Sequence, residues 1–171
     1  STTLLIKTAP MLDLQAAMLG LKHVSEIHIV AVDNEVKEVI WKTEKNSTQS
    51  PTIIAVNIEK NTTQTTRIDW KYPYQSHFSL PKKYLYEPNA ALMKSGKFDA
   101  ISELFGVEKL HQHSHLFTAE NLIEFPGRTF QIENNIPYQK KEIAQNIQQK
   151  KINVSTRNFP LKPDEIKKKH I

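Results

Sequence analysis

The chain contains no cysteine, so it has neither a disulfide framework nor a thiolate metal site, a composition that suits the cytoplasm. Glycine is scarce as well. The four glycines, Gly20, Gly96, Gly106 and Gly127, lie far apart and form no G-x-G, so this stretch carries neither a dinucleotide fingerprint nor a P-loop. G-x-S-x-G and His-Glu-x-x-His are also missing, which excludes the nucleophile-elbow and zincin signatures. No apolar run approaches the roughly 18 residues of a membrane span, and the first residues show no signal-peptide pattern. A membrane partner is therefore not expected.

What is present is an uneven charge. Residues 1–80 hold eight basic and eight acidic side chains, whereas residues 81–171 hold fifteen against ten, so the whole excess of +5 lies in the second half. A basic half beside a neutral one suits a polyanion partner. The 39% hydrophobic share is enough for a packed core.

The hydrophobic pattern divides the chain at a proline-marked joint, Pro73 to Pro81, into units 1–80 and 81–171. In the first unit Thr3–Lys7, Glu26–Val32, Thr52–Ile58 and Thr66–Trp70 read as strands, with helices over Met11–Lys22 and Glu35–Lys42. Strand, helix, strand in that order predicts a βαβ unit of an open α/β sheet with a hairpin at its edge. The second unit predicts a helix over Pro88–Phe105, strands over Leu110–Phe117, Arg128–Ile132 and Ile152–Thr156, and helices over Lys140–Gln149 and Asp164–His170. That is a small α+β unit.

The most informative stretch is 151–161. Ile152, Val154 and Thr156 alternate with Asn153, Ser155 and Arg157, as on a half-buried strand. The strand then presents Arg157, Asn158 and Phe159 before Pro160 stops it. A guanidinium, an amide and a ring on adjacent positions suit RNA or another polyanion. Packing of Phe159 into a core, with Arg157 solvated, explains the same residues.

Two groups of residues resemble a known family. Leu5–Asp13, then Glu26–Val32 with Asn34-Glu35-Val36-Lys37-Glu38, resemble the last strands of a class I S-adenosylmethionine-dependent methyltransferase domain. The run Tyr84-Leu85-Tyr86-Glu87-Pro88-Asn89-Ala90-Ala91-Leu92-Met93-Lys94-Ser95-Gly96 and the run Ser155-Thr156-Arg157-Asn158-Phe159-Pro160-Leu161 resemble the THUMP-like domain that follows it in a bacterial group. Val36 stands where that group commonly has cysteine. The resemblance implies an α/β fold: the C-terminal part of an open Rossmann-like methyltransferase sheet (1–80), followed by a THUMP-like α+β domain (81–171). It implies S-adenosylmethionine as the cofactor of a longer protein. The cofactor loop and acidic-proline motif would lie upstream of Ser1, so this chain alone is expected to be inactive and to bind no cofactor tightly. THUMP domains bind structured RNA, so RNA is the partner it implies. A non-catalytic RNA-binding or protein-interaction module is the alternative.

The candidate substrate contacts are Lys82, Lys83, Tyr84, Arg157 and Asn158. Lys82 and Lys83 beside Tyr84 and Tyr86 combine phosphate-seeking cations with stacking rings, although alternation also places the tyrosines in a core. Glu87-Pro88-Asn89 reads as a helix cap, with an anion-binding N-terminus as the other option. His111, His113 and His115 would share one face of a strand and could hold zinc, but alternation alone explains them and no metal is expected. Asn135-Ile136-Pro137-Tyr138 is not the Asn-Pro-Pro-Tyr motif of amino-group methyltransferases, because Ile136 replaces a proline and the tetrapeptide lies in the basic unit. Asp13 reads as a helix entry, and Lys167–Lys169 as a solvated helix end. An open sheet edge in the first unit makes a dimer through that edge an arrangement to expect.

Overall fold

The computed structural model describes residues 2–147 and 152–170. Five strands form the first sheet: β1 (Thr3–Thr8), β2 (Val24–Val32), β3 (Glu35–Glu44), β4 (Thr52–Ile58) and β5 (Thr63–Asp69), in the spatial order β1-β3-β2-β4-β5. β2 and β4 are parallel neighbours, and the other pairings are antiparallel. Across the ladder, Trp41 faces Ile27 and Ile27 faces Ile53, while Val39 faces Ile29 and Ile29 faces Ala55. All six side chains are buried. The β-branched run of β2 is what a strand paired on both edges requires.

The simple βαβ reading needs correction at β3. The segment Glu35–Lys42 is not a helix; it is the strand wedged between β1 and β2 and antiparallel to both. The cause is the turn before it. Asp33 and Asn34 both take positive φ (48° and 61°), and Val32 pairs with Glu35, so two residues reverse the chain as a primed hairpin turn does. A bulge in the β2–β3 pairing then lets Val36, Val39 and Trp41 all face inward. Between β1 and β2 the chain forms α1 (Leu14–Gly20), shorter than the predicted Met11–Lys22. Asp13 caps it, its carboxylate accepting from the Ala16 N–H at 2.8 Å.

The second sheet contains β6 (Tyr84–Pro88), β7 (Glu108–Lys109), β8 (Phe117–Ala119) and β9 (Gly127–Gln131), in the order β7-β8-β6-β9 and antiparallel throughout. The predicted single helix over Pro88–Phe105 is two helices, α2 (Ala90–Ser95) and α3 (Phe98–Phe105). Gly96 breaks it by adopting φ +67°, the left-handed C-cap conformation. The predicted strand Leu110–Phe117 is also corrected: 112–114 form a turn, so only β7 and β8 on either side are extended.

Although α2 lies in the second unit of the sequence, it packs across β2, β3 and β4 of the first sheet. Its N-terminus is capped from both units. The Asn89 side chain accepts from the Leu92 N–H at 3.0 Å, and the Asn34 side chain from the β2–β3 turn accepts from the Ala90 N–H at 2.7 Å. One buried cluster consequently runs from Trp41 and Ile53 through Leu92 to Tyr86, Phe117 and Phe125. Last come α4 (Lys140–Asn146) and α5 (Pro163–His170). Residues 148 and 149 of the predicted Lys140–Gln149 helix, and Lys151, lie outside the described residues. The described Ile152–Thr156 is not a strand; it pairs with no neighbour, yet alternates half-buried and exposed residues as its pattern predicts. No described helix is long and apolar enough to cross a membrane.

Candidate functional site

β6 is an inner strand of the second sheet, between β8 and β9, and has two unlike faces. Tyr84, Tyr86 and Pro88 point to the core, where the Tyr86 hydroxyl donates to the Asn121 carbonyl at 3.0 Å and its ring meets Phe125 at 5.1 Å. Leu85 and Glu87 point the other way. Glu87 stands directly opposite Arg128 on β9 and forms an ion pair with it. Its other carboxylate oxygen takes Arg157. The carboxylate is only 14% exposed, whereas the guanidinium side chains remain 59% (Arg128) and 42% (Arg157) exposed.

Local geometry explains how Arg157 arrives there. The segment 152–156 lies extended on half-buried Ile152, Val154 and Thr156. Asn158 then takes φ +49°, a left-handed conformation that asparagine tolerates, and turns the chain away. Phe159 thereby meets Tyr138 edge-on at 4.8 Å, and Tyr138 in turn bonds His170 at 2.9 Å. Tyr138, in the discounted Asn-Ile-Pro-Tyr tetrapeptide, is thus occupied in this satellite cluster.

Glu87, Arg128 and Arg157 border a notch of about 300 Å³ that Asn34, Pro88, Ala90, Met93 and His115 complete. Two guanidiniums against one carboxylate leave a local charge of +1 and several unused N–H donors. That arrangement suits a phosphate oxygen, because guanidinium forks bind oxyanions through paired donors. Arg128 also lies 5.7 Å from the ring of Phe130, which holds its side chain along the sheet face.

The five residues predicted from sequence fall into two places. Arg157 lines the notch, and Asn158 follows it as the left-handed residue that turns the chain away. Lys82, Lys83 and Tyr84 lie at the opposite end of β6, up to roughly 17 Å along the strand direction from Glu87. There Lys82 forms an ion pair with Glu108, the Lys83 ammonium lies 5.6 Å from the Tyr84 ring, and Tyr84 packs against the core. Lys94 and Lys97 are also occupied, donating to the carbonyls of Leu12 and Trp70 at 2.8 and 2.7 Å. The three histidines share no strand face. The His113 N–H donates to the His111 ring at 3.2 Å within a turn, while His115 stacks on Phe98 with ring centroids 3.6 Å apart. Among the described residues no three metal-ligating side chains converge.

Sequence reasoning missed Glu87 as the organising anion and Arg128 as its partner. The signal for Arg128 was its place just after Pro126-Gly127, at the start of a strand that had been read correctly.

Residues 84–126 match a ferredoxin-like domain family and residues 127–170 a THUMP domain-like family, so the two matches meet at Pro126 and Gly127. The fold is similar to the crystal structure of a putative methyltransferase from Porphyromonas gingivalis W83, with a TM-score of 0.85 and 34% sequence identity. The similarity covers 99% of this chain and 44% of that one, so the chain spans less than half of that protein's length. No curated protein matches the chain.

Proposed function

We propose that this chain is the substrate-holding part of an S-adenosylmethionine-dependent methyltransferase whose substrate is RNA. The observation that carries the reading is the match, along nearly the whole chain, to the putative methyltransferase from Porphyromonas gingivalis W83 at 34% identity. The THUMP domain-like match over 127–170 supports a nucleic-acid role for the second half, as does the excess of basic residues there. In this reading the first sheet is the tail of the catalytic domain and supports a cofactor site formed by residues outside the chain. The Arg128–Glu87–Arg157 notch takes a phosphate, and the reactive base lies beyond it. S-adenosylmethionine supplies the electrophilic methyl group; the residues of this chain hold and orient the RNA that receives it.

Calorimetric titration of S-adenosylmethionine tests the division of labour. A longer protein containing this chain is expected to bind the cofactor, and the 171-residue chain alone to show no heat of binding. Tight binding by the chain alone, or none by the longer protein, would overturn it.

A further inference from the structure

A second, larger cleft of about 730 Å³ lies beside the notch and shares His115 with it. It opens between the 74–78 connector, the start of α3 and the 112–115 turn. Lys109 lines it and is only 4% exposed, an uncommon burial for a lysine. Its ammonium donates to the Gln112 carbonyl at 3.1 Å, and among the described residues it forms no ion pair with a carboxylate. An ammonium has three donors, and burying one without an anion is costly. The rings of Phe98 and Phe78, 5.6 and 5.9 Å away, offset part of that cost by cation–π attraction.

Phe78 is the other unusual residue. Its ring is 56% exposed, yet its backbone is pinned on both sides: the Lys109 N–H donates to the His77 carbonyl at 2.7 Å, and the Ser79 N–H donates to the Lys109 carbonyl at 3.0 Å. An exposed ring is thus carried on a fixed stretch of backbone beside a buried cation. His115 closes the inner wall, stacked on Phe98 with its Nδ1 buried and without a partner. Burial, then the charges of Lys109 and His113, hold its pKa below the ordinary histidine value. It therefore faces the cleft as a neutral ring near pH 7. Asp99, also in the lining, is engaged by the Ser76 hydroxyl at 2.5 Å.

We propose that this cleft takes one unpaired nucleotide of an RNA strand, the base stacking on Phe78 and a phosphate oxygen meeting the Lys109 ammonium. The proposal rests on the RNA reading above and specifies the substrate form: single-stranded, with the neighbouring phosphate in the Arg128–Arg157 notch. Stacking on an exposed ring with a cation at its edge is how proteins hold unpaired bases without reading a duplex. The Asp99 carboxylate, engaged by Ser76 through one oxygen, keeps the other as an acceptor for an exocyclic amine of the base.

The test is fluorescence anisotropy of a labelled single-stranded RNA decamer, and of the same decamer annealed to its complement, with the 171-residue chain. The single strand is expected to bind more tightly. Phe78→Ala is expected to weaken it about five- to a hundredfold, the range of one lost base stack. Leu80→Ala, still more exposed than Phe78 and outside the cleft, should leave affinity unchanged. Lys109→Gln should flatten the dependence of log affinity on log salt by about 0.7, one phosphate contact on a single strand. Single-strand binding that Phe78→Ala leaves intact would overturn the cleft and spare the RNA reading. Absence of binding to either probe at low salt would overturn both, and equal binding of single strand and duplex would overturn the substrate form.

Discussion

Replacing Gly127 by alanine should be among the most damaging single-methyl changes in this chain. Gly127 pairs with Pro88 at the end of the β6–β9 ladder, and its N–H donates to the Phe125 carbonyl at 2.9 Å. A Cβ at this position would lie 2.1 Å from the Glu87 carbonyl oxygen and 2.9 Å from both Pro88 C and Asn89 N. Non-bonded carbons settle about 3.5–4.0 Å apart, so the strands must separate by more than an ångström. The obstructing atoms are all backbone, and no flexible side chain can swing aside. Overpacking costs about 1–3 kcal/mol and sometimes more, and this contact belongs at or above the upper end. A loss of about 3 kcal/mol lowers Tm by roughly 6–12 °C in a chain of this size. Two other glycines calibrate the result. Gly96→Ala meets no atom within 4 Å but must adopt φ +67°, for about 1–2 kcal/mol. Gly20→Ala meets neither obstacle and should be neutral or stabilising by up to about 1 kcal/mol. Thermal and urea unfolding followed by circular dichroism should rank Gly20→Ala, Gly96→Ala and Gly127→Ala in order of increasing damage. A Gly127→Ala protein melting within about 2 °C of wild type would refute the close approach of β6 and β9.

Asn89→Ala removes a buried cap that accepts from Leu92 and also donates to the Gln64 side chain at 3.1 Å, so it should cost about 1–2 kcal/mol in urea unfolding. An unchanged midpoint would show that α2 does not depend on this cap. Glu87→Gln should move stability and binding in opposite directions: a loss of about 1–3 kcal/mol as two guanidiniums lose their anion, with tighter RNA binding as the notch becomes more positive. A variant that loses both together would contradict a phosphate site there. For His115 the folded pKa lies below the unfolded value of 6.5, so the unfolded ring takes up a proton first as pH falls. Its contribution is therefore complete above pH 6.5 and is lost as pH falls through the folded value. His115→Gln should narrow the stability difference between about pH 7.5 and 5, and an unchanged difference would place the ring in a more solvated setting.

The parts of the fold legible in the sequence were those decided by local pattern. β2 and β4 announce themselves as β-branched runs, and α5 through its acidic first turn and basic last turn. β3 was hidden because Val36, Val39 and Ile40 fit one face of a helix as well as a bulged strand. The deciding signal, Asp33-Asn34 as a two-residue reversal, was present but needed left-handed backbone at both positions to act. Gly96 was legible as a helix stop in the same way, yet the apolar spacing from Ala91 to Phe105 ran straight across it. The site was legible only in part. Arg157 stood out at the end of an alternating segment, but its partner Glu87 lies seventy positions earlier and is brought to it by tertiary packing. Lys109 and Phe78 carried no signal, since burial of one and exposure of the other follow from an isolated bridge between the connector before β6 and the two-residue β7.

The proposed role of this chain is to hold RNA for a methyl transfer performed by residues outside it. Steady-state methylation of RNA by the longer protein, with Arg128→Gln compared to wild type, tests it most directly. The expected result is a KM for RNA raised about fivefold at low salt with kcat unchanged, the pattern of a lost binding contact. A fall in kcat with KM unchanged, or no methylation of RNA by the wild-type protein, would contradict it.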